Sequence, residues 1–288
     1  MERVAIIGLG LIGGSLGLAL KRTNMRQEII GFARRPETTA AALSLGAIDR
    51  AERELATTVK GATMVIIATP VLAIKETLEK IAPYLPPRCL VTDTGSTKVE
   101  VMKWAQQMLP PTVSFIGGHP MIGKETPGLD EAEADMFQGC IYCLTPRPDA
   151  ATESVQAMTT VVELIGAKPL FIDPVAHDSF VAAISHLPFL LSVALVSATA
   201  NSPSWSEMSK LAATGYRDLS RLASGNPEMS RDICLTNRDN ITNWIDRYIE
   251  ELRRFRRLIA TGDEELMKAF VHAQELRQRW LREHGAKG

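Results

Sequence analysis

A histidine stands between two glycines and a proline in Gly117-Gly118-His119-Pro120-Met121, directly after the apolar run 113–116. Proline fixes its own φ and drives the preceding residue out of the α region, so His119 is held extended. An imidazole fixed at the end of a buried strand is a candidate proton acceptor near neutral pH. The competing reading is a histidine that merely packs in a loop. A second polar stretch, Asp93-Thr94-Gly95-Ser96-Thr97-Lys98, likewise follows an apolar run, residues 89–92. A third, Gly215-Tyr216-Arg217-Asp218-Leu219-Ser220-Arg221, puts two guanidinium groups one helical turn apart. Either arginine suits bidentate grip of a carboxylate, and a structural ion pair is the alternative.

Nearer the start lies Gly8-Leu9-Gly10-Leu11-Ile12-Gly13, between the β-branched run 4–7 and a Leu- and Ala-rich stretch, 15–20. This is a dinucleotide-binding fingerprint in its required setting, after a strand and opening a helix. Gly8 allows the tight turn, Gly10 lets backbone approach a pyrophosphate, and Gly13 lets the helix pack on the sheet. The phosphates then meet the positive helix N-terminus, with Leu11 and Ile12 in the same turn. An NAD site would place an acidic residue at the end of the second strand. Ala33 stands there, followed by Arg34 and Arg35, so a 2′-phosphate is favoured and NADP is expected in preference to NAD; solvent-exposed loop charges are the alternative reading. Thr69 and Pro70, which close the strand pattern 63–68, complete the expected cofactor edge.

These groups need a scaffold that brings strand ends together. Strand patterns at 28–32, 63–68, 89–92, 113–116, 141–144 and 168–172 alternate with helical ones at 74–81, 99–109 and 153–165. The alternation predicts a doubly wound α/β fold with a parallel sheet and right-handed crossovers. The glycine loop, Ser96 and His119 then open on one edge, where ligands bind in such sheets. After Asp173-Pro174 no strand pattern recurs, which places a boundary between a dinucleotide-binding domain, 1–172, and an all-helical domain, 173–288. Residues 177–200 are so apolar that a helix buried on all sides is expected. A stripe of Ile241, Trp244, Ile245, Tyr248, Leu252, Phe255 and Ile259 suits core or subunit interface, and a homodimer follows from so much apolar helix. Arg253, Arg254, Arg256 and Arg257 read as its solvated face.

Composition excludes several classes. The 288 residues are 45% hydrophobic and 23% charged, with a net charge of -1. That is an ordinary globular balance, without the basic face that nucleic acid requires. The four cysteines lack a second pair or nearby histidine to complete a zinc set, so no metal is expected and the thiols are read as reduced. The first 21 residues mimic a signal peptide, but their glycines sit at motif spacing. The apolar stretch 180–200 contains His186, Pro188 and several hydroxyls, which favours burial in protein over a membrane span. A cytoplasmic protein is expected.

Taken in order, Gly8 to Gly13, Asp93-Thr94-Gly95-Ser96-Thr97-Lys98, Gly117-Gly118-His119-Pro120-Met121, Ser185-His186-Leu187-Pro188 and Gly215-Tyr216-Arg217-Asp218 resemble the prephenate/arogenate dehydrogenase family of tyrosine biosynthesis. The resemblance implies a Rossmann-type domain followed by an all-α dimerisation domain. It also implies NAD(P)-dependent oxidative decarboxylation of prephenate, of arogenate, or of both. By that similarity His119 bonds the substrate's 4-hydroxyl, Ser96 helps orient it, Arg217 holds a carboxylate, and His186 and Glu125 line the pocket. Some members carry a further histidine after Ser-His-Leu-Pro, where this chain has Phe189. Others append a regulatory ACT domain or a chorismate mutase, and 288 residues are expected to hold neither. Two rival readings are a β-hydroxyacid-type NADP dehydrogenase, with Lys98 as acid/base, and a non-catalytic NADP-binding sensor.

Overall fold

Strand β1 (Arg3–Ile7) sits near the centre of an eight-stranded sheet, and its residues show why the sheet is covered on both faces. Val4 and Ile6 join one apolar cluster, and Ala5 and Ile7 join the other, as the two-residue period of a strand demands. The same division holds along β4 (Met64–Ile67) and β5 (Leu90–Asp93), giving the continuous apolar runs of a doubly covered sheet. The remaining strands are β2 (Glu28–Phe32), β3 (Arg50–Ala51), β6 (Ser114–Pro120), β7 (Ile141–Pro146) and β8 (Lys168–Phe171), in the spatial order β3-β2-β1-β4-β5-β6-β7-β8. The computed structural model describes residues 3–23, 27–123 and 128–285.

Helices α1 (Leu11–Lys21), α2 (Pro36–Ser44), α3 (Leu55–Val59), α4 (Val71–Ile81), α5 (Val99–Met108) and α6 (Thr152–Leu164) connect the strands. Strand β1 pairs in parallel with both β2 and β4, so strand order reverses beside it, and a crevice opens beyond their carboxyl ends.

The expected parallel sheet has one exception. Strand β7 runs antiparallel to β6, with His119 opposite Cys143. The described part of the connection between them carries only one short 3₁₀ turn, Leu129–Glu131, and an antiparallel pair needs no helical crossover. Nor does the strand end at its glycines, as expected. It continues through His119 and Pro120, because close packing requires glycine inside it: a Cβ on Gly117 would lie 2.3 Å from Thr145 Oγ1, and one on Gly118 2.6 Å from the Asp93 carbonyl. The two-residue β3 and the short α3 are too brief to leave a periodic signal.

After β8 the chain is helical: α7 (Pro174–Val181), a π-helical turn (Ala182–His186), α8 (Leu187–Ala200), α9 (Trp205–Met208), α10 (Thr214–Ser220), α11 (Pro227–Thr236), α12 (Arg238–Thr261) and α13 (Glu265–His284). Asp173 starts this series by accepting the amides of Val175 and Ala176, an N-cap with Pro174 at the first helical position. The expectation of a helix buried on all sides is not met. Phe180 and Ile184 are 59% and 70% exposed, and along α8 only Leu187 and Ser192 are buried.

Contacts divide the chain into one compact unit of residues 1–240 and another of 241–288. The helices up to α11 belong with the sheet because side chains tie them to it. Asp178 on α7 accepts from the amides of Lys98 and Val99, and Asp232 on α11 accepts from the amide of Leu72 at 3.2 Å. In the second unit Phe255 and Phe270 meet with ring centroids 5.7 Å apart. There Arg253 and Arg254 pair with Glu250 and Glu251, the solvated face expected of them.

Candidate active site

The glycine loop owes its shape to close backbone approach. Gly8 has φ +97°, and a Cβ there would lie 2.4 Å from the Ala68 carbonyl oxygen. A Cβ on Gly13 would be 1.9 Å from the Gly8 carbonyl oxygen, so only glycine lets α1 leave the strand at this angle. Gly10 differs: nothing lies within 4 Å of an added Cβ, which leaves room for a ligand to reach its backbone. That room is part of a cleft of about 800 Å³ whose walls include Gly8, Gly10, Arg34, Arg35, Thr69 and Pro70. Its size suits a dinucleotide, and α4 begins beside it just as α1 does. The Thr69 hydroxyl is buried with no hydrogen-bond partner among the described residues, a group left for a ligand. Leu11, Ile12 and Gly13, also expected at the cofactor, do not line the cleft. Leu11 and Ile12 pack against the core, and Gly13 serves the turn.

In the wall of this cleft Arg34 and Arg35 are exposed and have no ion-pair partner among the described residues. Glu76 also lines the wall, but Lys80, with a smaller effect from Arg34, holds its carboxyl below the usual range. The region thus pairs its own acid and leaves two guanidinium groups facing the cleft.

His119 sits at the carboxyl end of β6, on the edge from which the glycine loop leaves β1. Its Nδ1 is 2.9 Å from Nε2 of His177, and His177 Nδ1 is 2.8 Å from Asp178 Oδ1. The two rings meet edge to face with centroids 5.1 Å apart. Burial, helped by the neighbouring His177 and Lys98, holds His119 well below the usual histidine range. It is therefore a neutral imidazole at physiological pH, able to accept a proton.

The backbone before His119 is fixed by a buried ion pair. The Lys98 ammonium bonds to Asp93 Oδ2 and donates to the Gly118 carbonyl at 2.7 Å, while the Gly118 amide donates to Asp93 Oδ1 at 3.1 Å. Asp93 Oδ2 also accepts from the Gly95 amide at 2.7 Å, which shapes the loop presenting Ser96.

His186 is buried beside this cluster. Asn237 Nδ2 donates both to the Asp178 carbonyl at 2.7 Å and to His186 Nδ1 at 3.2 Å. The remaining nitrogen, Nε2, therefore carries the hydrogen and has no partner among the described residues. Burial outweighs the pull of Asp178 and brings this histidine down to about 4.

The predicted residues are not all gathered here. His119 and His186 share the cluster, and Ser96 lies in the β5–α5 loop on the same sheet edge. Arg217 is exposed on α10, which Tyr216 joins to α8 by a 3.1 Å hydroxyl contact to Thr199. No hydrogen bond among the described residues links Arg217 to the histidines. Glu125 lies outside the described residues. Sequence reasoning missed His177, Asp178 and Asn237. A charged pair near the start of an apolar helix was the available signal for the first two, whereas Asn237 left none.

Comparison with known proteins places the chain in a family. The family model described as "Prephenate dehydrogenase, nucleotide-binding domain" matches residues 16–170, and that described as "Prephenate dehydrogenase, dimerization domain" matches residues 173–273. The chain is similar to prephenate dehydrogenase of Bacillus subtilis (strain 168), with 36% identity over 99% of this chain and 78% of that protein. Its structure is similar to that of prephenate dehydrogenase from A. aeolicus in complex with hydroxyphenyl propionate and NAD+. The TM-score is 0.90 at 28% identity, covering 97% of this chain and 98% of the other. Synechocystis arogenate dehydrogenase matches with a TM-score of 0.81 at 32% identity, covering 97% and 100%.

Proposed function

This chain belongs to the prephenate dehydrogenase family, and we infer that it performs NAD(P)-dependent oxidative decarboxylation of prephenate or arogenate in tyrosine biosynthesis. The observation that carries the reading is His119: a buried, neutral imidazole held at a strand end on the sheet edge from which the glycine loop also leaves. Its role is to take the proton of the substrate's ring hydroxyl as hydride leaves the same carbon. When bound, the nicotinamide accepts that hydride. The ring carboxylate departs as CO2, its bonding electrons complete the aromatic ring, and His119 returns the proton to the phenolate oxygen. Aromatisation supplies the driving force, so the protein must align the reacting atoms and supply one base.

The other roles are carried by the family resemblance: Ser96 orients the hydroxyl and Arg217 grips a carboxylate. The Nε2–H of His186, without a partner among the described residues, donates to the substrate. The glycine loop, Thr69 and Pro70 hold the dinucleotide. Arg34 and Arg35, without an ion-pair partner among the described residues, and Ala33 in place of an acid support a preference for NADP over NAD. The match of the dimerization-domain model supports a homodimer formed through the helical part, and supports a boundary near residue 172. The segment Pro174–Ala200 is long and apolar enough to cross a membrane by length and composition. Its buried Asp178 and His186, bonded to the start of α5 and to Asn237, instead support packing within protein and, with it, a cytoplasmic protein. The hydroxyacid dehydrogenase alternative is disfavoured because Lys98, its acid/base, is fully buried and committed to Asp93 and Gly118. Initial rates with prephenate or arogenate, each with NAD and NADP, test the reading. Reduction of nicotinamide with at least one pair is expected, and none with any pair overturns it.

A further inference from the structure

Asp178, His177 and His119 form one hydrogen-bonded line drawn from two elements. Asp178 Oδ1 accepts from the Lys98 amide at 2.7 Å and Oδ2 from the Val99 amide at 2.9 Å, so both oxygens act as the acceptors of a carboxylate. His177 Nδ1, at 2.8 Å from Oδ1, must then carry its proton and donate. In the neutral form, which the proposal takes for His177, an imidazole protonated at Nδ1 has a bare Nε2. That bare nitrogen faces His119 Nδ1 at 2.9 Å, and so His119 Nδ1 must in turn donate.

We propose that His177 and Asp178 are positioning residues that fix His119 as its Nδ1–H tautomer and thereby reserve Nε2 for the substrate's hydroxyl proton. The proposal rests on the reading of His119 as the base and adds what makes it one. In the opposite tautomer the lone pair would face His177 and a hydrogen would face the substrate. Such a ring can bind the hydroxyl oxygen but cannot take its proton. Once His119 is protonated, its bond to His177 becomes charge-assisted, with the Asp178 carboxylate at the far end of the line. The same carboxylate accepts the first amides of α5, so the substrate loop and the ring's tautomer are set from one point. His177 is the cleaner residue to test, because Asp178 also caps that helix.

Ring-nitrogen NMR of ¹⁵N-histidine-labelled protein reads the tautomer directly. The chain has only five histidines, which single substitutions assign. At neutral pH without ligands, His119 is expected with a protonated Nδ1 and a bare Nε2. In His177→Phe both tautomers of His119 should be populated. In that variant kcat should fall about 10–100-fold, as when a group orienting a functional imidazole is removed. KM for substrate and dinucleotide should stay within about twofold, the split expected of an interaction made only in the transition state. A wild-type spectrum with His119 protonated at Nε2 overturns the proposal, even where His177→Phe does not fold. An unchanged kcat in a folded His177→Phe with mixed tautomers overturns the positioning role. Because the spectrum needs no turnover, the expected tautomer in a chain that oxidises neither substrate would count against the function and not against this line.

Discussion

The Lys98 ammonium donates to the Gly118 carbonyl at 2.7 Å, one residue before His119. Asp93, its ion-pair partner, accepts from the amide of the same glycine, so one buried pair grips both backbone polar groups of Gly118. Taking away one member leaves the other charge buried and unpaired, which costs about 3–5 kcal/mol. Lys98→Met should lose stability by that amount in denaturant titrations. A variant of wild-type stability that no longer turns over would restore Lys98 as an acid/base.

Much of this was legible in the sequence. The glycine fingerprint, the shared sheet edge and the extended His119 at a strand end follow from residue type and spacing, because a strand period and a proline constrain few outcomes; the burial that keeps its ring neutral does not. The antiparallel β7 was not legible, since strand direction depends on a connection with no periodicity of its own. Asn237 was invisible for a different reason. Its partners, the Asp178 carbonyl and His186, are remote in sequence, and only the packing of α11 near α7 brings them within reach.

Cofactor choice tests the arginine pair. Arg34→Asp combined with Arg35→Ala should lower kcat/KM for NADP while sparing NAD, because charge-assisted hydrogen bonds are worth about 1.5–3 kcal/mol. Steady-state kinetics with both dinucleotides decide it. A wild type that prefers NAD contradicts the assignment.

Acid stability follows from His186, whose folded value is about 4. An unfolded histidine titrates near about 6.5, so as pH falls the unfolded chain takes the proton first. Stability is then complete above about 6.5 and is lost as pH drops toward the folded value, by up to roughly 3 kcal/mol. His119 shifts in the same direction and adds to the loss. Denaturant unfolding across this range should show the decline in the wild type and a shallower one in His186→Gln. Identical slopes would mean that His186 is not buried as a neutral ring.

Assembly tests the exposed face of the π-helical turn. Phe180 and Ile184 stand open in the single chain, and an obligate interface of the usual size would cover them. Light scattering should find a dimer for the wild type and a smaller species for Ile184→Asp. A wild type that is monomeric at micromolar concentration excludes the dimer.

The most direct test of the account is the kinetics of His119→Asn over a range of pH. A base used only as hydride leaves should cost about 10²–10⁴-fold in kcat when removed, with little change in KM. Arg217→Ala should act mainly on KM, because a carboxylate grip holds ground and transition states alike. Wild-type kcat/KM should fall on the acid side through a value below the ordinary histidine range, since burial in the ligand-free protein favours the neutral ring. That limb should be absent in His119→Asn. A variant with near-wild-type kcat and the same acid limb would remove His119 from the reaction.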